Sequence, residues 1–294
     1  MKTPVSLGGR DFLRIRDFTR DELESVLELA AELKANPQPL LPQRTLGLYF
    51  AQPSTRTRIS FSVAIAQLGG TPIVLLPQEM QLSRGESLED TAHVLSRYLD
   101  ALAIRTLSHE ELEAWAEAAS IPVINALTSV EHPCQALADV LTIRERFGSL
   151  DEIRIAWVGD GTNVLDSLAD LAVLFGAEVV AACPEGYEPA SENLTLMRDP
   201  REAAEGADVL VTDIWVSLGQ EAERAERLRD LEPYRLDEQL LELASPNAVV
   251  LHCLPAHPGE EITPGAIYGE HSAVWDEAEN RLHVQKALLA LLVG

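Results

Sequence analysis

The segment Ser54-Thr55-Arg56-Thr57-Arg58 stands where an apolar run, Thr45 to Phe50, gives way to a helical pattern that continues through Leu68. A strand that feeds a helix through hydroxyls and guanidinium groups can hold a small phosphorylated molecule. The first helical turn offers unpaired N–H donors and the positive end of the dipole, Ser and Thr add hydroxyl donors, and Arg supplies a planar fork that matches phosphate oxygens. Read alone, the same residues would equally describe a helix capped by Ser54 with two solvated arginines. Other polar clusters along the chain decide between these readings.

Those clusters also follow apolar runs. Arg105 follows Ala101 to Ile104, and His132-Pro133-Cys134-Gln135 follows Pro122 to Asn125. Later, Gly159 to Asn163, Asp213 to Gly219 and Cys253-Leu254-Pro255 come after Arg154 to Val158, Asp208 to Thr212 and Ala248 to His252. Two further runs, Pro72 to Leu76 and Glu178 to Ala182, complete the expected strands. Amphipathic segments alternate with them at about Thr19 to Lys34, Ser54 to Leu68, Ser87 to Leu99, Glu110 to Ala119, Pro133 to Phe147, Val164 to Phe175 and Ser272 to Leu292. Strand and helix in alternation predict an α/β fold with two open, parallel, helix-covered sheets of Rossmann-like type. The expected division is residues 1–147, completed by a C-terminal helix at 272–294, and residues 148–271, with helices joining the two. Ligands of such sheets bind beyond the carboxyl ends of the strands, and every polar cluster above falls there. The charge-rich stretch Gln220 to Asp230 reads most simply as a solvated helix or loop.

Composition narrows the function. Of 294 residues, 46% are hydrophobic and 24% charged, the balance of a water-soluble globular protein. No apolar run is long enough for a bilayer, and the first residues lack the apolar centre of a secretion signal, so a cytoplasmic protein is expected. Cys134, Cys183 and Cys253 lack disulfide or zinc-knuckle spacing. A net charge of −24, from 47 acidic against 23 basic residues, argues against nucleic acid as a partner. It also means that an anionic substrate needs a local concentration of Arg, whereas a cationic one is drawn in. Only Lys2, Lys34 and Lys286 are lysines, and such an acidic, Lys-poor chain is expected to gain stability in salt.

The motifs together resemble those of the aspartate/ornithine carbamoyltransferase superfamily across nearly the whole chain. The stretches Phe50 to Arg58 and His132 to Asp139, with Arg105, are similar to the superfamily pattern. Val158 to Val164, Asp213 to Glu221, His252 to Pro255 and Glu279 to Arg281 complete the match, and the Asp213 to Gln220 loop and His252 to Pro255 resemble the ornithine branch. The resemblance implies transfer of a carbamoyl group from carbamoyl phosphate to L-ornithine, a homotrimer with sites at subunit boundaries, and no metal or organic cofactor. It implies that Ser54, Thr55, Arg56 and Thr57 take the phosphate. Arg105 joins them and also reaches the carbonyl with His132, Gln135 holds the carbamoyl nitrogen, Arg281 lies against the carbamoyl phosphate, and the backbone around Cys253 and Leu254 helps orient both substrates. It places ornithine at Asn163, Asp213, Ser217 and the backbone of Leu218, with Cys253 and Asp213 near the reacting amine. Taken singly, Arg105 reads as a strand-end charge, His132 as a helix cap and Arg281 as a surface residue.

Departures from the family pattern are Gln52, Thr162, Asp166 and Leu218. Asp166, about a turn beyond Asn163, either faces solvent or adds charge to the amino-acid pocket. Ser83 to Ser87 resembles a loop that reaches a neighbouring subunit's site, which makes Arg84 a contributor in trans or simply a solvated residue. Three alternatives meet obstacles. Gly159-x-Gly161 after a strand suggests a dinucleotide site, but Val164 occupies the third glycine position. A non-catalytic amino-acid sensor on this fold would lack the arginines present here. A metal at His252, Cys253 and His257 is opposed by Pro255 and Pro258. Putrescine, lysine or an acylated ornithine remain alternative acceptors.

Overall fold

Parallel strands buried on both faces need continuous apolar runs, and the inner strands of two separate sheets, nine strands in all among the described residues, are such runs. The computed structural model describes residues 7–217 and 219–294. It divides into two compact units, one formed by residues up to Ala138 together with Arg281–Gly294, the other by Asp139–Asn280.

The first unit holds α1 (Arg20–Ala35), β1 (Thr45–Phe50), α2 (Thr55–Gln67), β2 (Thr71–Leu75), α3 (Leu88–Leu95), β3 (Ala101–Arg105), α4 (His109–Ala118) and β4 (Val123–Leu127). Its sheet runs β2-β1-β3-β4, all parallel. The helices begin where sequence chemistry says they should. Thr19 accepts from the Glu22 amide while Glu22 accepts from the Thr19 amide, a reciprocal cap, and Ser87 and Ser108 accept from the amides of Asp90 and Glu111. Helix α3 stops at Leu95, short of the expected Leu99, because the chain turns through Ser96 to Asp100 and buries Leu99 in a cluster with Leu102, Trp115 and Tyr49.

The chain leaves this unit inside α5 (Pro133–Phe147) and returns inside α11 (Val274–Val293). Between them lie β5 (Arg154–Val158), α6 (Asn163–Leu174), β6 (Glu178–Ala182), β7 (Thr195–Met197), α7 (Pro200–Ala204), β8 (Val209–Thr212), α8 (Arg224–Leu231), α9 (Glu238–Leu243), β9 (Val249–His252) and α10 (Pro264–Tyr268). The second sheet runs β7-β6-β5-β8-β9, again parallel throughout. Helix α6 ends before Gly176, whose φ of +89° reverses the chain in the left-handed region that favours glycine. Trp157, Val180, Leu210 and Val250 build the core beneath the strand ends that carry the polar loops.

Candidate active site

In the first unit, Phe50 at the end of β1 pairs with Arg105 at the end of β3, which sets the start of α2 beside Arg105 on one rim. Ser54 occupies the N-cap of α2 with extended backbone, but its hydroxyl makes no capping bond, and no acidic residue stands in the first turn. The amides of that turn are therefore not spent on a side-chain cap, and no carboxylate competes for an incoming anion. Thr57 is buried, Thr55 and Arg56 are exposed and Ser54 is partly buried.

Arg281 ties this rim together. Only 7% exposed, it donates from Nη2 to Thr57 Oγ1 at 2.9 Å, from Nη1 to His132 Nε2 at 3.1 Å, and from Nη1 to Gln135 Oε1. The surface reading of Arg281 is thus replaced by a buried one, because the last helix turns this face inward. A guanidinium always donates, so His132 Nε2 is an acceptor and the imidazole proton sits on Nδ1. Burial holds the His132 pKa well below the usual histidine value, with the charges of Arg281 and Arg105 pushing the same way. His132 is a neutral imidazole at physiological pH. Thr57, His132, Gln135 and Arg281 are in direct contact, Arg105 lies close enough for its charge to act on His132, and Ser54, Thr55 and Arg56 share the first turn with Thr57. Cys134 is a buried core thiol that donates to the Asn125 carbonyl.

In the second unit, three strand ends converge. Gly161 follows β5, and a Cβ there would fall 2.3 Å from the Pro189 amide nitrogen, so only glycine lets the loop at 184–190 pack against it. Thr162 caps α6 and donates to Asp213 Oδ2 at 3.4 Å, which places Asn163, the first residue of α6, beside Asp213. Asp213 Oδ1 accepts from its neighbour's amide, Ile214 N, at 2.7 Å and from Cys253 Sγ at 3.1 Å. Burial and the Asp213 carboxylate raise the Cys253 pKa well above the ordinary thiol value, so Cys253 is a neutral donor. Ser217 is held by a bond from its amide to Gln220 Oε1. Leu218 lies outside the described residues. Leu254 has φ +57°, a strained region for a leucine, and its N–H donates to His252 Nδ1 at 3.0 Å. That amide is committed within the loop and does not serve a ligand.

Arg227 escaped sequence reasoning. The stretch expected to be solvated contains α8, which buries Arg227 and Leu231, one turn apart. Arg227 Nε donates to the Trp215 carbonyl at 2.6 Å and Nη2 to Asp160 Oδ2, while its guanidinium covers the Tyr187 ring at 5.0 Å. It cross-ties the loops that carry Asn163 and Asp213. Burial raises the Asp160 pKa to about 6 against the pull of Arg227, with Asp213 adding to the rise. The only local signal was an apolar Leu at i+4 from an Arg. Asp166 resolves as structural, accepting from the Ser191 amide at 2.7 Å. Arg84 is exposed.

Comparison with known proteins agrees with this geometry. Residues 10–145 match the carbamoyl-P binding domain of aspartate/ornithine carbamoyltransferases, and residues 151–292 match their Asp/Orn binding domain. Ornithine carbamoyltransferase from Nostoc sp. is 52% identical, covering 99% of both chains, and that from Pyrococcus abyssi is 48% identical over 99% of this chain and 98% of its own. The solved ornithine carbamoyltransferase from Pyrococcus furiosus superposes with a TM-score of 0.94 at 47% identity, covering 99% of each chain. That from Thermus thermophilus gives 0.91 at 42%, covering 97% of this chain and 99% of its own. With both domain models matched in order and half the residues shared with full-length relatives, this chain belongs to the aspartate/ornithine carbamoyltransferase family.

Proposed function

We infer that this chain transfers the carbamoyl group of carbamoyl phosphate to the δ-amine of L-ornithine, giving L-citrulline and phosphate. The δ-nitrogen attacks the carbonyl carbon, the bond from that carbon to the phosphate oxygen breaks, and the surplus amine proton passes to the departing phosphate. The observation that carries the donor side is Arg281 fixed to Thr57, His132 and Gln135 beside an uncapped helix start. Fixed donors of this kind stabilise charge that grows on the carbonyl oxygen and on the leaving phosphate, so they act more strongly in the transition state than in the ground state. Ser54, Thr55, Arg56 and Thr57 receive the phosphate, Arg105 and His132 the carbonyl oxygen, and Gln135 the carbamoyl nitrogen. Neutral His132 fits a hydrogen-bonding rather than a charging role.

Asp213, with Asn163 and Ser217, receives the amino-acid end of ornithine, and Cys253 acts as a neutral thiol beside Asp213 with no covalent step. Leu254 contributes through backbone other than its committed N–H. The excess of acidic residues attracts a cationic acceptor at long range. A self-associating assembly, a trimer by family resemblance, is supported by the edge strand β2, on which Ile73 and Val74 point to opposite faces and are 43% and 41% exposed. Val94 and Tyr98 are exposed as well, further apolar side chains that a partner subunit could cover. In such an assembly the family resemblance assigns the exposed Arg84 to a neighbouring subunit's site. A cytoplasmic location is consistent with the chemistry; among the described residues no helix is long and apolar enough to cross a membrane.

The test is a citrulline-type colour assay with carbamoyl phosphate and a panel of ornithine, putrescine, lysine and N-acetylornithine. Ornithine is expected to dominate. Equal rates for ornithine and putrescine would overturn the roles of Asn163, Asp213 and Ser217, since only ornithine of that pair carries an α-carboxylate and α-ammonium.

A further inference from the structure

The loop between β9 and α10 contains a carboxylate that the transfer reaction does not use. Glu261 is 0% exposed. Its Oε1 accepts from His252 Nε2 at 3.3 Å and from the amide of His257. Its Oε2 has no hydrogen-bond partner, and faces His257 Nδ1 at 3.8 Å. The direction of the His252 bond follows from its other nitrogen: the Leu254 amide donates to Nδ1, so the proton sits on Nε2 and that nitrogen donates to Glu261. Among the described residues no donor lies within hydrogen-bond distance of this buried oxygen, and a cation held between it and the imidazole nitrogen would satisfy both.

We propose that this loop binds one divalent transition-metal ion through His257 Nδ1, Glu261 Oε2 and the carboxylate of Glu260. One ligand atom from each of the three residues lies within 4.8 Å of the others. Metal bonds of roughly 2.0–2.2 Å to nitrogen and oxygen put ligand atoms about 3 to 4.4 Å apart, so small side-chain movements close the site. Arg224 engages Oε1 of Glu260 and leaves the second oxygen for the ion. One imidazole with two carboxylates suits zinc, cobalt or manganese better than magnesium or calcium, with water completing the shell. His257 is 46% exposed and gives the ion a way in. His252 plays the outer-shell part, holding the ligating carboxylate from behind through its ring N–H.

The grouping of His257 with His252 and Cys253, which Pro255 and Pro258 already opposed in the sequence, is disfavoured by the structure as well. Asp213, His252 and Cys253 do lie together, but both nitrogens of His252 are committed, one to the Leu254 amide and one to Glu261. The loop site is tied to the chemistry nonetheless. His252 immediately precedes Cys253, whose thiol meets Asp213, so an ion that fixes Glu261 also fixes the segment that presents Cys253.

The experiment uses the full chain, cleared of metal with a chelator and titrated with Co²⁺ while its d–d absorption is read. One ion per chain is expected, with no thiolate-to-cobalt charge-transfer band. His257→Ala is expected to weaken binding by at least the roughly 10- to 100-fold that even outer-shell partners contribute. Glu260→Gln is expected to weaken it too, and Cys253→Ser to leave it unchanged. His257 and Glu260 are not core residues, so both variants are expected to fold, which circular dichroism checks. Failure of the full chain to bind, or binding that survives His257→Ala in a folded protein, overturns the proposal. So does a charge-transfer band abolished by Cys253→Ser, which would put the ion at Asp213 and Cys253.

Discussion

Replacing Arg281 separates a catalytic donor from a structural one. In Arg281→Ala, Thr57 Oγ1, His132 Nε2 and Gln135 Oε1 each lose a donor from one guanidinium. If the fork holds the developing negative charge of carbamoyl transfer, the rate loss should match removal of one preorganised donor, about 10²- to 10³-fold or about 3–4 kcal/mol. The stability loss is smaller than three orphaned acceptors would suggest. The vacated space is polar and guanidinium-sized, so water refills it, and a cost on the order of 1–3 kcal/mol is expected. One charge is also removed from the surroundings of His132. Because burial is the larger cause of its lowered pKa, His132 moves up only part of the way toward the ordinary value.

Arg281→Lys sharpens the comparison. An ammonium restores the charge near His132 but cannot reproduce the fork that spans Thr57 and Gln135, so the effect on His132 should return while most of the rate does not. Arg56→Ala should match Arg281→Ala in rate loss yet leave stability unchanged, since Arg56 is exposed. The assay is citrulline formation at saturating ornithine with carbamoyl phosphate varied, read as kcat/KM, alongside urea melts. A folded Arg281→Ala protein whose kcat/KM stays within about threefold of the parent refutes the reasoning.

Other expectations follow from buried charge. Arg227→Met should destabilise the chain toward the lower end of the roughly 3–5 kcal/mol typical of breaking a buried ion pair, because Asp160, with a pKa already about 6, escapes its stranded charge by taking a proton. It should also raise KM for ornithine, as the Trp215 carbonyl loses its anchor; an unchanged KM and melt would remove Arg227 from this role. His132 binds its proton less readily in the folded than in the unfolded chain. Stability is therefore expected to fall as pH drops below about 6.5, and His132→Gln to lessen that slope in pH-dependent urea melts. Cys253, held protonated, should react with iodoacetamide at about pH 8 more slowly than a free thiol, and Asp213→Asn should speed it partly, since burial remains; rapid alkylation of the parent protein would contradict a neutral thiol. Thermal melting should shift upward in KCl as the repulsion among a net −24 charge is screened, and a flat series would count against it.

The sheets were legible because their physics is local. Arg154–Val158 and Glu178–Ala182 were expected with the bounds observed, since a strand buried on both faces must be an apolar run. Strand β7, Thr195–Met197, escaped because it is a three-residue edge strand, largely exposed, with no such run to display. Helices α7, α9 and α10 are too short for a 3.6-residue period to show; only their caps, Asp199, Asp237 and Thr263, mark them. Asp237 and Thr263 could have been read as such, each standing just before an apolar or proline-led segment.

The site divides along a similar line. Residue types and their place after strands could be read from the sequence, but partners could not. Arg281 and Gln135 are 146 positions apart, and nothing near either marks the other. Glu261 belongs to no motif, yet it holds the ring of His252, and so decides which amide of the His252 to Pro255 stretch stays available. A motif records which side chains stand at a strand end; the hydrogen bonds that orient them come from elements distant in sequence. Leu254 makes the difference concrete. Its place in the motif implies a backbone contact with substrate, and the bond to His252 Nδ1 commits the amide within the loop and leaves other atoms of that backbone to do any binding.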